Sequence, residues 1–360
     1  MEVIDLFSGA GGLSLGFKME GFRILLSIEK DPIYYETFKL NNPDCACLNG
    51  NIVEIDIFGA YSRYFKDSNI DGIIGGPPCQ GYSSVGNRDI NDPRNMFIYY
   101  FIKWVKIIKP RFFVMENVPG IISMDRGRVV QKIKKMFKTI GYSCQMELLR
   151  ALDFGIPQVR KRVFFIGFAS AQSTRLNLNI NGGKKLTVRD AFSDILDTIP
   201  FEGRTNGNAP IEYKFAPKTP YQEYLRKNSS VLLDHNAPNH SDFVKERISF
   251  IKPGENHQNL PEKYKLKSGY PNIYGRLHLD KPADTITGNC GCVSAPGRFI
   301  HPIQDRAISV REAARLQSIP DDYKFKGNLN QRYRQIGNAV PPLLASAIAK
   351  VVKERLLLEN

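Results

Sequence analysis

The sequence predicts an α/β protein: a doubly wound, mostly parallel sheet followed by a smaller, irregular domain. Short apolar runs alternate with amphipathic stretches from the N-terminus to about residue 170, the pattern of βαβ units. From Pro200 to Pro302 the chain is rich in Pro, Gly, Asn, Lys and Tyr and has little periodicity, as loops and short strands do. The length of 360 residues also exceeds what one core ordinarily supports.

The elements follow in order. Glu2–Phe7 is a first strand, and the Gly-rich turn Phe7–Gly12 leads into a helix reading GLSLGFKMEGF. Phe22–Glu29 is a second strand. A helix then starts at Asp31, with Pro32 in its first turn. Ile70–Gly76 is a buried strand that ends in GGPPCQGYSS. MFIYYFIKWVKIIKP is a helix stopped by Pro110, and Arg111–Val118 a strand containing MENV. RVVQKIKKMFKTIG is an amphipathic helix closed by Gly141, and Arg162–Phe168 one more strand. TVRDAFSDIL is a further helix. Ser309–Gln317 is a helix with Ser309 and Glu312 as a capping box, and a long helix ends the chain after GNAVPP. The expected domains are residues 1–200 with 331–360, and residues 201–330.

Composition narrows the class. With 42% hydrophobic and 24% charged residues the chain is globular, and its net charge of +14 favours a polyanionic partner. The six cysteines form no CxxC pair, and the pairs CAC and CGC lack the usual zinc spacing, so no metal is expected. No apolar run approaches the roughly 20 residues of a membrane helix, and the N-terminus runs straight into a strand. A cytoplasmic protein with reduced thiols and no membrane partner is expected.

Ligands on doubly wound sheets bind at the carboxyl ends of the strands. Three suspicious loops lie there, after IDLF, after IDGII and after FFVM, so they face one cleft. The first, with Gly9, Ala10, Gly11 and Gly12, allows close approach of a nucleotide-like ligand, but the third glycine of G-x-G-x-x-G is missing. Glu29, about 20 residues past that loop, can accept hydrogen bonds from both ribose hydroxyls, although a solvated strand-end acid would look the same. Cys79 stands on a loop stiffened by two prolines, and Glu116 at another strand end. QVRKR supplies Arg160 and Arg162, which alternate onto one face of an extended segment, as a solvated basic strand start also would.

DLFSGAGGLSLGF, GGPPCQGYSS, ENV, QVRKRVFFIG, SVREAARLQSIP and IGNAVPP stand in series as they do in the DNA cytosine-5 methyltransferases. The chain resembles that family along most of its length, with about Ala169–Arg306 as variable ground. The resemblance implies a Rossmann-like, S-adenosylmethionine-dependent domain and a target-recognition domain. It implies Cys79 as the nucleophile for C6 of a flipped cytosine, Glu116 as the acid on N3 and the amino group, and Arg160 and Arg162 near the base. Phe7, the Gly9–Gly12 loop, Glu29, Asn51, Ile52, Pro78, Phe97, Asn338 and Val340 correspond to the cofactor pocket. Gln80, Ser83 and Thr285 correspond to DNA contacts. Asn51 replaces the usual Asp, and Phe97 a common Leu.

The expected reaction leaves S-adenosylhomocysteine and needs no metal. The expected partners are double-stranded DNA and a cognate restriction endonuclease, with the enzyme itself a monomer. Three other readings compete. The tRNA-methylating branch of the fold carries a Cys-Phe-Thr tripeptide, absent here. A dead copy would tend to lose Cys79 or Glu116. A nicotinamide dehydrogenase leaves the cysteine loop unexplained.

Overall fold

The computed structural model describes residues 1–65, 69–78, 96–169, 176–178, 185–203, 209–266 and 269–358. The chain divides into two compact units: residues 1–150, 161–181 and 344–360, and residues 151–160 and 182–343. The expected boundaries at 200 and 331 are therefore not those of the compact units. The segment around QVR, and residues 331–343, group with the second unit. Both pack by long-range contacts that local composition does not display.

Unit 1 is built from β1 (Glu2–Leu6), α1 (Gly12–Met19), β2 (Arg23–Glu29), α2 (Pro32–Asn41), β3 (Ala46–Asn49), α3 (Ile57–Tyr64), β4 (Gly72–Gly75), α4 (Phe97–Ile108), β5 (Phe112–Asn117), α5 (Arg128–Thr139), β6 (Ser143–Arg150) and β7 (Lys161–Phe168). The strand order is β3-β2-β1-β4-β5-β7-β6. The first five strands are parallel and β7 is antiparallel to both neighbours, so the sheet is mixed and mostly parallel. Three elements escape the sequence reading: β3, α3 and β6. The first is only four residues long, and β6 is half-buried along most of its length without clean alternation.

Residue alternation on β5 sorts the helices. Phe112 stacks on Phe17 of α1, whereas Phe113 stacks on Phe137 of α5 with centroids 3.8 Å apart and meets Phe101 of α4 edge-on. Successive strand side chains point to opposite faces, so α1 covers one face of the sheet and α4 and α5 the other. Each fully buried phenylalanine contributes about 1.5–3 kcal/mol. The C-terminal helix (Pro342–Leu357) joins the α1 face. There Ser346 Oγ donates to Glu20 Oε1 at 2.5 Å and Lys353 Nζ to the Glu20 carbonyl at 2.7 Å.

Unit 2 contains α6 (Val188–Phe192), α7 (Pro220–Arg226), α8 (Asp242–Ser249), α9 (Val310–Leu316) and α10 (Leu329–Asn338), with two- and three-residue strand pairs between them. The capping box expected at Ser309 and Glu312 is present. A buried ionic network organises α9. Arg315 donates to Asp194 and to Asp321, both at 2.6 Å, and all three side chains are fully buried. Arg306 donates to both oxygens of Glu312 at 2.8 Å. Burial would raise the Glu312 carboxyl, but the Arg306 charge overrides it and holds the group well below the usual carboxylate range.

Candidate active site

The register of unit 1 brings the strand ends level. Leu6 pairs with Ile28 on one side and Gly75 on the other, and Gly75 pairs with Met115. Glu29 pairs with Asn49. The residues that leave the sheet on its carboxyl edge are thus Glu29, Phe7, Gly76 and Glu116, side by side. The three loops singled out in the sequence all begin on this edge.

At its β1 corner, Phe7 has φ +59° and Gly9 φ +55°. A left-handed phenylalanine costs on the order of 1–3 kcal/mol and needs support from its surroundings. The support includes a bond from the Ser8 N–H to the Ile28 carbonyl at 3.1 Å and an edge-on contact with the Phe97 ring at 5.7 Å. Glu29 Oε2 accepts from the Gly9 N–H and Oε1 from the Asp31 N–H, both at 2.8 Å. Burial raises the Glu29 pKa, and these backbone donors offset part of the rise. Ala10 and Ile52 are buried. Gly11 caps α1, whose first turn carries no acid and leaves its N–H groups electropositive. The Asn51 amide closes a local turn instead of projecting freely: Oδ1 accepts from Val53 N at 3.3 Å, and Nδ2 donates to Glu54 at 3.1 Å.

At the β4–β5 corner, Arg162 Nε donates to Glu116 Oε1 at 2.8 Å, with both side chains 13% exposed. The two residues lie on the antiparallel pair β5–β7, where Glu116 faces Phe164. The carboxylate also lies against Gly76: a Cβ there would fall 3.0 Å from Glu116 Oε2. Gly75 is tighter still, since a Cβ would meet the Leu6 carbonyl oxygen at 2.1 Å. The two glycines before the prolines thus let β4 run against β1 and against the acid. Pro78 is half-buried, while Cys79, Gln80 and Ser83 lie outside the described residues.

In unit 2, Arg160 is 1% exposed. Its guanidinium donates to the carbonyls of Ile286 and Gly337 at 2.8 Å and of Ala339 at 3.1 Å. Arg160 and Arg162 therefore serve different partners, one the backbone of its own unit and the other a carboxylate. Gln158 completes the clamp: it accepts from Ile286 N at 2.8 Å and donates to the Leu316 carbonyl at 2.9 Å. Gly337 permits it, because a Cβ would lie 2.1 Å from the nitrogen of Gly288. The clamp holds the half-buried Thr285 and the segment bearing exposed Asn338 and buried Val340. Sequence reasoning passed over Gln158 and Gly337, although both stand inside the quoted motifs QVRKR and IGNAVPP.

The sequence pattern described as C-5 cytosine-specific DNA methylase matches residues 1–354. The chain belongs to that family. The type II methyltransferase M.DdeI of Desulfomicrobium norvegicum is 38% identical, over 97% of this chain and 88% of its own length. The type II methyltransferase M1.HphI of Haemophilus parahaemolyticus is 37% identical, over 98% and 86%. A solved structure described as a DNA modification methyltransferase encoded within an E. coli prophage superposes with a TM-score of 0.83 at 29% identity, covering 99% of both chains.

A C-5 cytosine-specific DNA methylase implies S-adenosylmethionine as methyl donor, and the β1 corner fits it. Glu29 offers a carboxylate where ribose hydroxyls would donate, and a Cβ at Gly9 would meet nothing within 4 Å. Phe7 and Phe97 form an edge-on aromatic pair, 5.7 Å between centroids, of the kind an adenine ring could pack against. Among the described residues no three His, Cys, Asp or Glu side chains come together as metal ligands would. No described helix is long and apolar enough to cross a membrane.

Proposed function

We propose that this methylase modifies one cytosine in a short recognition sequence of duplex DNA, as the modification partner of a restriction endonuclease in the cytoplasm. The names of its type II relatives support that setting. The observation that carries the chemistry is the level carboxyl edge of β1, β4 and β5. The Glu29 corner and the Glu116–Arg162 pair stand on one edge, where β4 leads into Pro77, Pro78 and then Cys79.

S-adenosylmethionine, held by Phe7, the Gly9–Gly12 loop, Glu29, Ile52, Pro78 and Phe97, supplies an electrophilic methyl group. Asn51, Asn338 and Val340 keep the pocket roles implied by the resemblance. Cytosine C5 alone is too electron-poor to take that methyl. The Cys79 thiolate adds to C6, and the ring electrons move toward N3, which takes a proton from Glu116. C5 becomes an enamine carbon and a nucleophile. Arg162, 2.8 Å from Glu116, stabilises the carboxylate left behind and lowers the cost of the proton transfer. After methylation the C5 proton leaves to solvent, the C6–S bond breaks and N3 returns its proton to Glu116, which restores the neutral aromatic ring and frees the thiolate. The base reaches these groups only by leaving the helix, at a cost of a few kcal/mol. Gln80, Ser83 and Thr285 contact the DNA backbone in this scheme, and Arg160 keeps Thr285 in position.

Bisulfite sequencing of plasmid DNA from expressing cells tests the proposal. Protected cytosines at one recurring sequence, lost in Cys79→Ala, are expected. Full conversion with a folded, expressed protein would reject the DNA reading and send the test to RNA.

A further inference from the structure

The charge of this protein is unevenly placed. Residues 96–140 carry ten lysines and arginines against two carboxylates, a surplus of eight within a total of +14. One of those carboxylates is Glu116, which is committed to Arg162. The other, Asp125, lies 3.7 Å from Arg128. Eight of the cations are exposed: Lys103, Lys106 and Lys109 at α4, and Arg126, Arg128, Lys132, Lys135 and Lys138 at α5. Among the described residues none of these six lysines has a carboxylate partner.

The helices set the cations in two rows. Lys103 and Lys106, and Arg128, Lys132, Lys135 and Lys138, recur at three- and four-residue spacing along one side of each helix. The helices adjoin: Lys132 Nζ lies over the Tyr99 ring at 5.3 Å, and Phe101 meets Phe137. The α5 row spans about 15 Å at 1.5 Å per residue. At about 3.4 Å per phosphate, that length faces four or five phosphates of one DNA strand. This face lies over the sheet, not at the carboxyl edge that bears the candidate active site.

We infer that the α4–α5 face is a second, sequence-independent docking surface for the phosphate backbone of duplex DNA. It would hold the enzyme on DNA between targets. The inference takes DNA as partner from the proposed function but does not depend on the chemistry at Cys79. A membrane surface fits less well, since the rows carry tyrosines in place of the apolar anchors that insert into lipid.

The test is binding of the full chain to poly(dA)·poly(dT), which has no cytosine, across a salt series. Lys103→Gln/Lys106→Gln/Lys132→Gln/Lys135→Gln should lower the slope of log K against log salt by about 2–4, at roughly 0.9 for each phosphate no longer neutralised. Its affinity in low salt should fall at least tenfold, while methylation of a short saturating duplex stays as in wild type. Lys39→Gln/Lys350→Gln, on other helices, should leave the slope unchanged. If the quadruple variant fails to fold, Arg126→Gln/Lys138→Gln should show about half the change. A wild-type slope in the face variants overturns the inference, as does loss of binding to anionic vesicles with DNA binding intact. Tight wild-type binding without methylation of any DNA would instead refute the proposed reaction and leave the docking surface standing.

Discussion

Replacing Glu29 by glutamine should separate cofactor binding from stability. The carboxylate accepts two backbone N–H groups, from Gly9 and Asp31, at 2.8 Å each. Glutamine has one oxygen, so its NH2 must face one of those donors. An acceptor for one charge-assisted bond from a ribose hydroxyl is lost as well, worth about 1.5–3 kcal/mol. At 1.4 kcal/mol per tenfold, S-adenosylmethionine should bind about 10- to 150-fold more weakly. Stability should respond differently. Burial already raises the Glu29 pKa, so the folded protein carries the ionised group at a cost. Removing that cost offsets a lost backbone bond of about 1 kcal/mol. The ligand-free variant should therefore stay within about 1 kcal/mol of wild type. Isothermal titration with the cofactor and thermal melts without it read the two effects. Unchanged affinity, or an affinity loss matched by a large drop in Tm, would refute the role given to this carboxylate.

Three further outcomes follow from the same geometry. Asp5 is fully buried, and burial pushes its carboxyl up to about 8, with Ser14 lowering it and Glu29 raising it. A raised folded pKa means stability that is full below the ordinary carboxylate pKa near 4 and lost as pH rises through about 8. Asp5→Asn should thus gain in Tm relative to wild type between pH 5 and pH 9; a constant difference would refute the ionisation. Gly76→Ala brings a Cβ to 3.0 Å from Glu116 Oε2, and should slow methylation at saturating substrates by about tenfold or more with little change in Tm. An unchanged rate would mean that the acid tolerates displacement. Arg315→Leu removes the cation shared by buried Asp194 and Asp321, leaving them Arg226 at 3.1 Å and Arg311 at 4.0 Å, and should destabilise by about 3–5 kcal/mol in denaturant melts, with losses under 1 kcal/mol counting against the network.

Much of unit 1 was legible because its signals are local. Asp31 caps α2 through bonds to Ile33 N and Tyr34 N, next to Pro32, as its sequence announces. The apolar runs IDLF, IDGII and FFVM read as strands because they are short, continuous and bounded by turn or charged residues, as strands buried on both faces are. Strand β3 was missed because its four residues, Ala46 to Asn49, are half-buried or exposed and carry no clear period. Helix α10 was missed because its buried face is polar in places, with Arg332 and Gln335 paired inside the unit.

By itself the sequence determined which residues end the strands, which loops follow them, and through its motifs the family. Those are properties of neighbours along the chain, where propensity and spacing act directly. Only the tertiary structure decided the pairings across it. It seated β7 between β5 and β6, and so aimed Arg162 at Glu116. It gave Arg160 carbonyl partners 126 to 179 residues away and buried Arg315 between two aspartates. It also laid the cations of α4 and α5 side by side. A guanidinium or an ammonium can satisfy itself with any suitably placed acceptor, so its partner is chosen by the packing that brings distant segments together.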